Sequence, residues 1–229
     1  MNIIIRDNAD AAAREAAAII AAEARTAVAA RGRFIMAVSG GSTPRKMLRA
    51  LADEAVPWEG VHVVQVDERV APAGDPDRNL IILRESLLEH SLLRPGQLYA
   101  MPVESPDLEA AAMRYAETLQ EIAGSPPMLD LVHLGLGPDG HTASLVPGDP
   151  VLDITSTDVA LTGIYQQQRR MTLTYPLLNR SRCILWLVTG SAKAGMLARL
   201  RDGDTSIPAG RISRDRAVVL TDKEAAGQL

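Results

Sequence analysis

The chain is poor in cysteine, in aromatic side chains and in excess positive charge. Its one cysteine, Cys183, excludes an internal disulfide framework and fits a reducing compartment. Cys183 lies in the apolar run CILWLV, where a small core residue is expected. Aromatic residues make up only 3% of the chain while hydrophobic residues make up 47%, so any core must be built from Ala, Leu, Val and Ile. The formal net charge of −4 argues against a nucleic-acid binder or an acidic-membrane binder, both of which carry basic excess. It leaves open an anionic small ligand, which responds to local charge. No apolar run approaches the roughly 20 residues of a membrane span, and no signal peptide is visible, because the Ala-rich stretch after the first strand carries Arg14, Glu15, Glu23 and Arg25. A soluble cytoplasmic protein is expected, and the sequence leaves its oligomeric state open.

Strand-length apolar runs alternate with helical patterns along the chain. Strands are expected at Asn2–Ile5, Phe34–Val38, Val61–Val66, Gln97–Met101, Leu131–Leu136, Cys183–Thr189 and Ala217–Thr221. Val159–Tyr165 and Met171–Tyr175 read as a hairpin around a polar loop. Helices are expected at Asp10–Ala30, stopped by Gly32, from Pro44 to about Ala55 with Thr43 as cap, near Asp77–Glu89, after a Ser105-Pro106 cap, and at Ser191–Leu200. This alternation predicts an α/β fold with a mainly parallel sheet and helices on both faces. With no repeat, low-complexity tract or linker, residues 1–229 read as a single domain.

The stretch Asp130–Pro147, DLVHLGLGPDGHTASLVP, carries the strongest signal. A buried strand breaks into a glycine-rich turn and delivers Asp139, His141, Thr142 and Ser144 in succession. Open α/β sheets place their ligands at such strand ends. Gly135, Gly137 and Gly140 match the dinucleotide fingerprint G-x-G-x-x-G, but that fingerprint needs a long following helix, and Pro147, Gly148 and Pro150 allow only a short one. The turn instead reads as a device that presents His141, with Asp139 either orienting the ring or shifting its pKa. A histidine that merely caps a helix after the turn is the alternative.

Three more segments end strands: Ser39–Pro44, Asp67–Arg69 and Thr189–Lys193. In the first, Gly40 and Gly41 let backbone N–H groups approach an anion, Ser42 and Thr43 add donors, and the helix beginning at Pro44 points its positive end there. Lys193 at a helix start opposes the dipole unless an anion sits beside it; a solvated surface lysine is the other reading. Of the four histidines, His62 and His90 lack an acidic or glycine-rich context, and His133 sits inside a strand as a core residue. No metal-ligand spacing occurs, so no metal and no cofactor are expected. No G-x-S-x-G elbow supports a serine-hydrolase triad.

Together, MAVSGGSTPRKML (Met36–Leu48), VDER (Val66–Arg69), GLGPDGHTASLVPG (Gly135–Gly148), RRMTLTYPLLNRSR (Arg169–Arg182) and LVTGSAKAGML (Leu187–Leu197) resemble the 6-phosphogluconolactonase family, in family order and over nearly the whole chain. The resemblance implies a Rossmann-like three-layer sandwich, shared with glucosamine-6-phosphate isomerase/deaminase. It also implies hydrolysis of 6-phospho-D-glucono-1,5-lactone without a cofactor. His141 is then the general base, since an imidazole can exchange protons near neutral pH, and Asp139 its orienting acid. Arg69 stabilises the oxyanion. Gly40, Gly41, Ser42, Thr43, Arg170 and Lys193 hold the phosphate. Asp67 either abstracts a proton, as the matching acid does in the isomerase relatives, or orients Arg69. Arg69 and the run Thr142–Pro147 depart from the DEY and IAFNEP-like patterns of that isomerase branch. Departures from the lactonase pattern itself are Arg78 in place of a serine, Val146 in place of a phenylalanine, and a tail without Trp-x-x-Asp. Arg78 is expected either to add charge at the pocket rim or to point to solvent. The remaining readings are an isomerase or deaminase acting on an amino-sugar phosphate, and a non-catalytic sugar-phosphate sensor. For a sensor an added DNA-binding segment would be expected.

Overall fold

The computed structural model describes all 229 residues. Seven strands form a parallel sheet in the order β1 (Asn2–Arg6), β10 (Ala217–Asp222), β9 (Ile184–Val188), β6 (Leu131–Leu134), β2 (Phe34–Val38), β3 (Val61–Gln65) and β5 (Leu98–Tyr99). Helices α1 (Ala9–Arg31) and α2 (Ser42–Ala52) cover one face. Helices α4 (Leu108–Ala123), α5 (Tyr175–Arg180) and α6 (Ala194–Asp202) cover the other. α3 (Asn79–Ser86) packs beside α2. No helix is long and apolar enough to cross a membrane.

Burial on both faces explains the continuous apolar runs of these strands, since parallel strands lack a solvated side. Along β2, Phe34, Met36 and Val38 enter the core under α1 and α2, while Ile35 and Ala37 enter the opposite core. α1 begins at Asn8, whose side chain accepts the Ala11 N–H at 2.9 Å, and ends at Gly32 in the left-handed conformation with φ 74°. Its buried stripe is Ile20 and seven alanines, small side chains that let the helix lie close to the sheet.

The chain runs outward from β2 through β3 to β5, then returns to β6 beside β2 and runs outward the other way through β9 and β10. The crevice at the carboxyl ends of β2 and β6 is therefore the topological switch point, where open α/β sheets bind ligands.

A second sheet, antiparallel, stands at that end: β4 (Asp67–Arg69), β8 (Arg170–Leu173) and β7 (Val159–Leu161), in the order β4-β8-β7. Val66 is the joint between the sheets. Its N–H donates to the Val38 carbonyl at 3.0 Å, and its own carbonyl accepts the Leu173 N–H at 2.8 Å.

The expected strands, the hairpin and the long helices are present, with local differences. β4 is a strand where a strand end was expected. Tyr175 opens α5 instead of closing a strand, with Pro176 in the first turn where its missing N–H costs nothing. Thr43 does not cap α2: Gly41, at φ 121°, occupies the cap position, and the Thr43 hydroxyl meets Thr189 Oγ1 at 3.3 Å. Asp107, not Ser105, caps α4 by accepting the Ala110 N–H at 2.9 Å.

Arg78 corrects both expectations held for it. It is neither at the rim nor in solvent but 2% exposed, between Glu68 and Glu104. Its Nε lies 3.5 Å from Glu68 Oε2, and its Nη1 donates to Glu104. Removing Arg78 leaves the buried Glu68 carboxylate with its hydrogen bonds but without a counter-charge. Arg78→Ser should therefore lower the unfolding free energy by about 3 kcal/mol, read as a drop in the urea midpoint, and leave the salt dependence of kcat/KM unchanged. An unshifted midpoint would show the pair to be dispensable.

Candidate functional site

Four strand ends converge on one cleft of about 190 Å³, lined by twelve residues of which two are hydrophobic. So polar a lining suits a hydrophilic, charged ligand rather than an apolar one. The cleft brings together Gly40, Asp67, Arg69, His141, Arg170 and Lys193, all of them site candidates from sequence. Gly41, Ser42 and Thr43 lie one step away, as the cap and first turn of α2, and do not line it. Asp139 stands behind His141 rather than on the wall.

After β2, the Ser39 hydroxyl donates to the His133 carbonyl at 3.1 Å, and the Ser39 N–H points to His133 Nδ1 at 3.4 Å. His133 is fully buried, and burial alone pushes its pKa down to about 4, so it is a neutral core residue as expected. Gly40 follows. A Cβ there would fall 1.9 Å from Asn79 Oδ1, so only glycine lets the Asn79 side chain lie across the turn.

Asp67, Glu68 and Arg69 follow β3. Asp67 is buried, and desolvation raises its pKa against the lowering effects of the Ser144 hydroxyl, Arg69 and Arg170. The Ser144 hydroxyl donates to Asp67 Oδ2 at 2.6 Å. Asn79 Nδ2 donates to the Asp67 carbonyl at 2.9 Å. Arg69 Nη1 in turn donates to Asn79 Oδ1 at 2.5 Å and to the Asp77 carbonyl at 2.7 Å, which fixes the guanidinium at the cleft wall. Asn79, Ser144 and Glu68 were missed from sequence. Ser144 meets Asp67 from 77 positions away and Asn79 meets Glu68 from 11 positions away, pairings that no local pattern announces.

After β6 the turn is closed by Gly137 N–H donating to the His141 carbonyl at 2.8 Å and by Thr142 Oγ1 donating to the Gly135 carbonyl at 2.8 Å. No helix follows; Thr142 and Leu145 form a tight bridge instead, which removes the helix-cap reading of His141. His141 Nδ1 lies 2.5 Å from Asp139 Oδ1, and that oxygen also accepts the His141 N–H at 3.2 Å. Partial burial raises the Asp139 pKa. The N–H and ring of His141 outweigh it, so the carboxyl is held below its usual range and stays ionised. With Nδ1 taken, Nε2 is the ring nitrogen left to accept a proton.

Three cations complete the cleft: Arg69, Arg170 and Lys193. Arg69 and Arg170 are directly opposed across the β4–β8 ladder. Like charges in that position repel. Neither they nor Lys193 has a carboxylate within ion-pair distance. Arg170 Nε is buried and has no hydrogen-bond partner. Burial lowers the Lys193 pKa, with Asp139 opposing the shift. Lys193 immediately precedes α6, as the sequence indicated. Arg170 is buried, and Arg69 and Lys193 are half-buried. Cations shielded from water without a counter-charge are costly unless an anion joins them, so the chemistry of this wall suits phosphate or carboxylate. No group of three or more His, Cys, Asp or Glu side chains is arranged to hold a metal.

Comparison with known proteins bears on which anion. A profile of the family described as glucosamine-6-phosphate isomerases/6-phosphogluconolactonase matches residues 7–221. The chain belongs to this family. Within it, the 6-phosphogluconolactonase of Mycobacterium tuberculosis is 37% identical over 214 residues, covering 87% of each chain. The crystal structure of 6-phosphogluconolactonase from Thermotoga maritima superposes with a TM-score of 0.84 at 25% identity, over 96% of this chain and 98% of that one. A monomeric glucosamine-6-phosphate deaminase superposes equally well, with a TM-score of 0.87 over the whole of both chains, but at 20% identity that likeness speaks for the family fold alone. The family's fold thus serves more than one chemistry, and the site must decide between them.

Gly137 supplies a direct test of the site's geometry. A Cβ at Gly137 would lie 2.1 Å from His141 Nδ1 and 2.7 Å from Asp139 Oδ1. Gly137→Ala should displace the imidazole, and a displacement of about 1 Å costs on the order of 100-fold in turnover. The far-ultraviolet circular dichroism should be unaltered. Parental turnover in a folded Gly137→Ala protein would mean that the His141–Asp139 geometry is not what the reaction needs.

Proposed function

We propose that this protein hydrolyses 6-phospho-D-glucono-1,5-lactone to 6-phosphogluconate. The observation that carries the reading is a histidine–aspartate pair facing a cleft whose three cations have no carboxylate partner. The level of identity to curated 6-phosphogluconolactonases supports it. A lactone carbonyl needs an activated water, a place for negative charge on the tetrahedral oxygen, and a grip that holds the carbonyl still. His141 Nε2 takes a proton from water as the water oxygen bonds to C1. Asp139 fixes the tautomer and stabilises the imidazolium. Arg69, held by Asn79 and Asp77, faces the oxyanion. Collapse of the intermediate breaks the bond from C1 to the ring oxygen, and the imidazolium returns its proton to that oxygen. Arg170, Lys193 and the Gly40 turn bind the phosphate, with Gly41, Ser42 and Thr43 at the adjoining helix start. Remote binding energy thereby positions the carbonyl. Asp67, engaged by Ser144 and Asn79, holds the Asn79–Arg69 assembly.

One observation favours a second reading: Asp67 lines the cleft with a raised pKa, as a proton-abstracting acid of an amino-sugar-phosphate isomerase would. Two assays separate them. Lactone generated in situ from glucose 6-phosphate should be consumed faster than its spontaneous opening, and glucosamine 6-phosphate should release no ammonia. The reverse pattern overturns the proposal.

His141→Asn should lower kcat by roughly 100- to 10,000-fold while the product still binds. The parent kcat/KM should fall on the acid side, because a protonated ring cannot accept a proton. Spontaneous opening is subtracted at each pH. Near-parental turnover of His141→Asn would remove this histidine from the mechanism.

Lys193→Ala should chiefly raise KM and narrow the preference for the phosphorylated lactone over plain gluconolactone. An unchanged preference would mean that Lys193 is not part of the grip.

A further inference from the structure

The hairpin between β7 and β8 reaches back over the cleft, and its tip touches both halves of the proposed machinery. Tyr165 makes three contacts there. Its hydroxyl donates to Asp139 Oδ2 at 3.2 Å. Its ring meets the His141 ring edge-on, with centroids 5.7 Å apart at 65°. The Arg170 guanidinium lies over the same ring, 5.0 Å from its centroid.

The tip is built to hold this residue. Tyr165 and Gln168 exchange both backbone hydrogen bonds, at 3.0 and 3.2 Å. Gln166 and Gln167 between them are forced into the left-handed region, at φ 49° and 67°. Non-glycine residues resist that conformation, and such strain gathers at functional sites. Gln166 Oε1 accepts from Arg170 Nη2 at 3.0 Å, so the tip grips Arg170 twice.

We propose that Tyr165 is a positioning residue that couples the proton-accepting His141–Asp139 pair to the anion-binding Arg170. The inference rests on the reading of His141 as base. Asp139 has two oxygens. Oδ1 serves His141 and Oδ2 serves Tyr165, so the carboxylate plane is fixed from both sides. The tyrosine O–H also draws charge from the carboxylate and weakens its pull on the imidazolium. Burial, followed by the neighbouring Asp139, raises the Tyr165 pKa and keeps the phenol protonated as a donor. Movement of Arg170 on binding an anion is thus transmitted through the ring to the pair that activates water.

The charged groups facing the pair are Lys193 before α6, Arg170 on β8, and Asp67 and Arg69 on β4. None of them changes in Tyr165→Phe, which removes only the O–H and keeps the ring face. The lost hydrogen bond leaves Asp139 a stronger partner for the imidazolium. The acid limb of kcat/KM should therefore move to higher pH by roughly half a unit, with KM unchanged. The His141 imidazole resonance, identified by its loss in His141→Asn, should titrate higher by the same amount. Tyr165→Leu, which also removes the ring face, should additionally raise KM by roughly 2- to 5-fold. A Tyr165→Phe protein whose resonance and kinetic limb both stay at the parental pH overturns the proposal. A shifted resonance with an unmoved kinetic limb upholds the Tyr165–Asp139–His141 linkage and overturns instead the assignment of His141 as base.

Discussion

The carboxylate of Glu68 is fully buried, and the architecture of the cleft depends on where it sits. It accepts the Gln65 side-chain amide and the backbone N–H groups of Arg69, Asn79 and Leu80, each at 2.8 Å, with Arg78 beside it. Hydrogen bonds to a charged group contribute roughly 1.5–3 kcal/mol each, and together they offset the cost of taking that charge out of water. Two of the donors are the first N–H groups of α3, so Glu68 caps that helix from another strand. Everything on that side of the cleft follows from this pin. It sets Asn79 against Gly40, and Asn79 then holds Arg69 at the wall. Without it, β4 would be three polar residues with no reason to pair.

The opposite side of the cleft is organised by turn chemistry. Gly137 lets the imidazole lie against the backbone, and Gly140, at φ 83°, lets the loop reverse against Ile207. The two sides differ in what they leave unsatisfied. The glycine turn closes its own hydrogen bonds. The arginine–lysine side ends in positive charge with no carboxylate within ion-pair distance, which favours an anionic ligand. That asymmetry fits a substrate with a doubly charged phosphate at one end and a neutral carbonyl at the other, since the charge orients the carbonyl toward His141.

Much of this was legible in the sequence, for a physical reason. Strands buried on both faces are apolar nearly throughout, so FIMAV, LVHL and ILWLV stood out, His133 being the one polar residue among them. Ligand loops at the ends of parallel strands need glycine, so SGG and GLGPDG stood out beside them. His141, Asp139, Arg69, Arg170 and Lys193 could be named because they sit in or next to such turns or carry the family pattern. What stayed hidden depends on distant partners. Arg78 looked like a surface or rim charge because Glu104 lies 26 positions away. Tyr165 looked like an ordinary hairpin residue because Asp139 is 26 positions before it. β4 carries no apolar alternation, since Asp67 and Glu68 are buried by hydrogen bonds and not by hydrophobicity. Thr43 has the composition of a cap, but the sharp turn at Gly41 took that position first.

The most direct test of the account is a crystal structure of the protein with 6-phosphogluconate bound. The phosphate oxygens should lie within about 3 Å of Arg170, Lys193 and the Gly40 N–H, and the C1 carboxylate should lie at His141 Nε2 and Arg69. A product bound in the reverse sense, with phosphate against His141 and the carboxylate against Lys193, would contradict the assignment of the two ends of the cleft and the mechanism built on it.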